Sequence, residues 1–103
     1  MTEWHRVAPL AQFLEGEPRT LRAGEAEIAL YLLGDEVHAI GDMCPHQRDV
    51  RLSEGFLEDG VIECPMHQSC FDIRTGKVLG PPAREDVPVY PVKIEDGVVF
   101  VEA

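Results

Sequence analysis

At 103 residues the chain has material for a single domain, 1–103, with a modest core and no room for a large substrate pocket of its own. Nineteen acids against nine bases leave a net charge of −10, which argues against nucleic acid and anionic membrane surfaces and is open to two readings, a protein partner with a basic dock or acidity that only keeps a small domain soluble. The opening residues mix charges with apolar side chains, and no run is long enough to span a bilayer, so a cytoplasmic, monomeric protein without a membrane is expected.

Residues 3–7 alternate weakly and predict an opening strand, with Trp4 as core filler. Leu10, Phe13 and Leu14 are spaced for one helical turn, which Gly16-Glu17-Pro18 ends. Ala26, Ile28, Leu30 and Leu32 share one face of a strand, Gly34-Asp35-Glu36 turns, and Val37 to Ile40 return, a hairpin by apolar alternation. His38 reads as a solvated or hydrogen-bonded strand histidine and His5 as a surface one.

Gly41-Asp42 marks an exit into a loop carrying Cys44-Pro45-His46. Phe56-Leu57, Gly60 and Val61-Ile62 predict a second hairpin, which carries Cys64-Pro65-Met66-His67 to the same end. Another short strand is expected over Cys70 to Ile73, followed by a turn at 74–77. Gly80-Pro81-Pro82 forms a stiff loop, open to reading as a linker or as a wall. Val87 to Glu95 is expected as one strand whose Pro88 and Pro91 confine it to an edge or bulge, and Asp96-Gly97 turns into a last strand, Val98 to Val101.

The two loops carry the chemistry. Each pairs a soft thiolate with an imidazole beside a proline, so four side chains, Cys44, His46, Cys64 and His67, converge once the hairpins face each other. A common zinc finger separates its cysteines from its histidines, whereas here both groups are mixed, which favours a two-iron centre. Cysteines on one iron and histidines on the other is the arrangement in which two histidines replace two cysteines of a 2Fe-2S cluster. That exchange removes two negative charges, so an added electron is easier to accept and settles on the histidine-bound iron. With three cysteines and two of them ligands, Cys70 is expected as a buried thiol.

Cys-Pro-His, seventeen residues, then Cys-Pro-Met-His resembles the Rieske motif. Leu-Ser-Glu-Gly-Phe at 52–56, Phe-Asp-Ile-Arg-Thr-Gly-Lys-Val-Leu at 71–79, Gly-Pro-Pro-Ala at 80–83 and Tyr-Pro-Val-Lys-Ile-Glu-Asp-Gly at 90–97 are similar to the small ferredoxins of bacterial ring-hydroxylating dioxygenases. The resemblance implies an all-β Rieske fold, an antiparallel barrel-like base with a small cluster-binding subdomain inserted at about 42–82. It implies one Rieske 2Fe-2S cluster per chain, held by Cys44, His46, Cys64 and His67, with the proline loop shielding it. It further implies a one-electron carrier, not an enzyme, between a flavin-containing reductase and a terminal Rieske oxygenase.

The competing readings are a small Rieske subunit of a reductase such as nitrite reductase, and a zinc-stabilised interaction domain. In high-potential Rieske proteins a serine and a tyrosine at the positions of Ser69 and Phe71 donate to cluster sulfurs, and a disulfide stands where Asp49 and Met66 are here. This chain keeps only the serine, so a low potential is expected. Where dioxygenase ferredoxins often have small residues after the first histidine, 47–51 is bulky and charged, and Arg48, Val50, Arg51 and Pro81 are expected to form a docking surface.

Overall fold

The computed structural model describes residues 2–45, 49–66, 69–80 and 83–103. Eleven strands in three antiparallel sheets make up the described structure: β1 (Trp4–Pro9), β2 (Arg19–Ala23), β3 (Ala26–Leu33), β4 (Glu36–Gly41), β5 (Phe56–Glu58), β6 (Val61–Glu63), β7 (Cys70–Asp72), β8 (Val78–Gly80), β9 (Val89–Tyr90), β10 (Val92–Glu95) and β11 (Val98–Glu102). Short 3-10 turns at Leu10–Gln12 and Leu52–Glu54 are the only helical elements among the described residues, and none is long and apolar enough to cross a membrane.

Both chain ends build the base. The first sheet runs β1-β11-β10 and the second β2-β3-β4-β9. Ile28, Leu30, Val37 and Ala39 from the second sheet bury against Ala8, Val99 and Val101 from the first, with Phe13 closing the side. At about 25 cal/mol per Å² of apolar surface removed from water, such a core outweighs the individual hydrogen bonds of so small a fold. Asp96 and Gly97, at φ +51° and +75°, make the tight turn between β10 and β11, and Asp59 and Gly60 repeat it between β5 and β6.

The third sheet, β5-β6-β7-β8, lies in sequence entirely between β4 and β9 and packs on the other face of β3 and β4. Ala29, Tyr31 and Ile40 bury there against Leu52, Ile62, Phe71, Ile73, Ala83 and Val87. Strand β3 is thus buried on both faces: Ile28, Ala29, Leu30 and Tyr31 all have no exposed surface. Alternation predicts only one of those faces, although a run with no polar residue from Ile28 to Leu33 is what a doubly covered strand requires.

Four details differ from expectation. Trp4 is not core filler: it stands 41% exposed, covered by the Lys93 ammonium 4.5 Å from its ring centroid. The helical turn expected near Leu10 is a single 3-10 turn, and Leu14 points to solvent. Val78–Gly80 is a strand pairing with β7, not merely part of a turn and loop. The strand expected over 87–95 is two strands in different sheets, β9 beside β4 and β10 beside β11. Pro91 sits at the crossing, where a residue without an N–H costs no ladder bond.

Candidate metal centre

Strand β4 runs straight into the first loop. Asp42 N–H still donates to Glu27 O at 2.8 Å, then Met43 pairs with Arg51 in an isolated antiparallel bridge and Cys44 N–H donates to Val50 O at 2.9 Å. Strand β6 delivers Cys64 in the same manner, its N–H donating to Ser69 O at 2.7 Å. Each cysteine amide therefore closes its own loop. Both cysteines have no exposed surface, and both belong to the one core that contains Leu52, Ile62, Phe71 and Ala83. His46 and His67 lie outside the described residues.

The first loop is held by a carboxylate that sequence reading took only as a strand exit. Asp42 is fully buried; its Oδ1 accepts from Ser53 N–H at 2.7 Å, its Oδ2 from the Ser53 hydroxyl at 2.9 Å, and its carbonyl from Leu52 N–H at 2.6 Å. A buried carboxylate persists only when its oxygens are satisfied in this way. Arg51 completes the clamp, with Nη1 2.6 Å from Glu27 Oε2, Nη2 donating to Glu27 Oε1 at 3.1 Å, and Nη1 3.5 Å from Asp42 Oδ2. Bonding to Glu27, then its charge, and more weakly Asp42 hold the guanidinium protonated even more firmly than usual. Behind the clamp, the buried Tyr31 hydroxyl has no hydrogen-bond partner among the described residues, and burial, then the Asp42 charge, push its pKa upward.

Arg51 is therefore tied into the first loop rather than a free cation, although 42% of its side chain remains exposed. Arg51→Glu would set three carboxylates together at the root of the first loop. The expected result is a lower thermal unfolding midpoint by circular dichroism; an unchanged melt together with slowed partner transfer would assign Arg51 to docking instead. Arg48 and Pro81, expected in the same surface, lie outside the described residues.

The second loop is tied to the proline segment by Ser69. Its buried Oγ accepts from Ala83 N–H at 3.0 Å, which leaves the hydroxyl proton available for another acceptor. Shielding by the proline loop falls on 81–82, outside the described residues, but both flanks are anchored: Gly80 pairs with Cys70, and Ala83 bonds Ser69. Phe71 is fully buried and carries no hydroxyl. Cys70 is not the fully buried thiol expected: it is half-buried on the outer face of the third sheet, and burial, then Glu63, push its pKa up. His38 lies on β4 as expected, but it is neither solvated nor hydrogen-bonded at Nε2, which is buried 3.3 Å from Glu36 Oε1 without a hydrogen-bond partner among the described residues.

Two buried cysteines on separately closed loops fit a centre that wants a fixed thiolate pair on one metal, shut off from water by Leu52, Ile62 and Phe71. The comparisons define the class as an iron–sulfur protein: residues 3–91 match the Rieske [2Fe-2S] domain, and the chain belongs to that family. Its cofactor is accordingly a Rieske 2Fe-2S cluster. It is 46% identical to the anthranilate 1,2-dioxygenase ferredoxin subunit of Burkholderia cepacia, over 98% of this chain and 93% of that one. The carbazole 1,9a-dioxygenase ferredoxin of Nocardioides aromaticivorans superposes with a TM-score of 0.90 at 32% identity, covering 95% of each chain. A chain from a complex of reduced oxygenase and oxidised ferredoxin in carbazole 1,9a-dioxygenase does so with a TM-score of 0.89 at 35% identity, covering 95% of this chain and 91% of that one. The protein is thus a ferredoxin-type electron-transfer component rather than a catalyst, and its all-β architecture is the Rieske fold.

Proposed function

We propose that this protein is the electron carrier of an aromatic-ring oxygenase system, accepting one electron from a flavin-containing reductase and delivering it to a terminal Rieske oxygenase in the cytoplasm, as a monomer. The convergence of buried Cys44 and Cys64 from two similarly closed loops supports the reading most directly. When bound, the cluster supplies reversible one-electron chemistry. Cys44 and Cys64 would hold one iron and His46 and His67 the other. The Asp42 clamp holds the loop that carries Cys44, while the Ala83–Ser69 bond closes the loop that carries Cys64. Leu52, Ile62 and Phe71 pack about Cys44 and Cys64 and exclude water there, which would leave the histidine ligands as the route for the electron.

The expected reduction potential is near the low end of the Rieske range, roughly −150 mV. Phe71 offers no hydroxyl, Ser69 offers one, and a net charge of −10 disfavours a further negative charge. The test is voltammetry together with stopped-flow transfer to terminal oxygenases. A potential in the positive hundreds of millivolts, or a reduced protein that passes no electron to any oxygenase tried, would sink the reading. Ser69→Ala is expected to lower the potential and Phe71→Tyr to raise it; the absence of either shift would remove hydroxyl donation as the tuning device.

A further inference from the structure

The third sheet has an outward face on which large apolar side chains stand exposed. Leu57, Ile62, Phe71 and Val78 point inward to the core, so the alternate residues of the pleat, Phe56, Glu63 and Cys70, point away from it. Phe56, Glu63, Cys70 and Gly80 form one register row across the sheet, the row that leads directly into Cys64 and the second loop. On or beside this row stand three of the largest apolar exposures in the described structure: Phe56 at 68%, Met66 at 63% and Leu79, at the β7–β8 irregularity, at 53%. The base treats its outward aromatics differently. Trp4 and Phe100 there share the Lys93 side chain, whose Nζ lies 4.5 and 5.5 Å from their ring centroids, while among the described residues no ring or cation contact covers Phe56.

Phe56 on β5 and Leu79 on β8 stand at opposite edges of this face with Glu63 and Cys70 between them, and exposed apolar groups that frame a sheet face beside a functional loop mark a contact surface. Its rim identifies the occupant. Glu54 and Glu58 are exposed beside Phe56, and Glu63 lies half-buried between Phe56 and Cys70. A second copy of this chain would bring acids against acids, with −10 on each side, so self-association is disfavoured. We propose that the outer face of the third sheet, centred on Phe56 and Leu79, is a docking flank for the terminal oxygenase, received by an apolar surface framed with basic side chains. The contact extends the encounter from the ligand loops onto the sheet. Its apolar anchors slow dissociation while the acidic rim steers the approach. The inference rests on the carrier function proposed above.

The experiment is stopped-flow oxidation of the reduced holoprotein by oxygenase components of the anthranilate, naphthalene and carbazole dioxygenase systems, with reduction by a flavin-containing ferredoxin reductase measured separately. Phe56→Ser and Leu79→Ser are expected to slow transfer to the oxygenase roughly tenfold. Leu14→Ser, at an equally exposed apolar site on the base, should leave it unchanged. Glu58→Lys should slow transfer at low salt and less so at high salt. The paramagnetic signal and the potential should be those of wild type in every variant, which separates docking from damage to the cluster. If wild type transfers but Phe56→Ser and Leu79→Ser match it, the flank is wrong and the carrier function stands. Slowing confined to the reductase step would also overturn the proposal, and a wild type that reduces no oxygenase would remove the function on which it rests.

Discussion

Cys44→Ser, Cys64→Ser, His46→Ala and His67→Ala are each expected to abolish the Rieske paramagnetic signal of the reduced protein, not merely to weaken it. Loss of one protein ligand opens an iron to water, and metal binding is coupled to the order of the loops that supply the other ligands. For the cysteines the structural change is nearly isosteric, so the loss is chemical. Both side chains are fully buried, and serine there places a hydroxyl among Leu52, Ile62 and Phe71 without a soft donor for iron. The base should survive, because its core between the first two sheets contains neither cysteine. Far-ultraviolet circular dichroism should therefore keep a β spectrum while visible absorption and the paramagnetic signal vanish. Unchanged signals in all four variants would sink the ligand assignment.

Gly55→Ala is expected to cost about 3 kcal/mol and to lower cluster content, although Gly55 contacts no ligand. Its φ of −89° is open to any residue, so the demand comes from space rather than from backbone conformation. A Cβ at Gly55 would lie inside the van der Waals envelope of the Glu63 carbonyl oxygen, an atom of the facing strand's backbone that cannot rotate away. Glu63 immediately precedes Cys64, and Gly55 directly follows the 3-10 turn whose Leu52 and Ser53 bond Asp42. Relief of the clash thus moves one ligand loop against the other. Urea unfolding and iron content per chain would measure the two effects; a variant as stable and as fully loaded as wild type would show that the hairpin yields without disturbing the site.

A candidate donor set could be named from the chain alone because it is local chemistry: two thiol–imidazole pairs, each within four residues, with a proline beside each cysteine; of these the structure places Cys44 and Cys64 in one core. Hairpin turns at Asp59-Gly60 and Asp96-Gly97 were legible for the same reason, since short-range backbone preferences set them. The Asp42 clamp was not. Its partners, Glu27, Arg51 and Ser53, are separated by up to 26 residues, and only the docking of β3 against the loop brings them together. In sequence Arg51 looks like a free surface cation.

The break of the 87–95 segment into two sheets was half legible. Pro91 announced an irregularity, but which strands β9 and β10 would pair with depended on the closure of the base. The same holds for faces. Alternation in Ala26, Ile28, Leu30 and Leu32 named the side of β3 that meets the first sheet, while burial of Ala29 and Tyr31 required the third sheet to pack behind it. Trp4 and Phe56, equally aromatic on paper, lie half-exposed beneath a lysine and almost bare beside the second ligand loop. Hydrophobicity says that a side chain gains by leaving water; the tertiary structure decides whether the chain itself, or a partner, provides the cover.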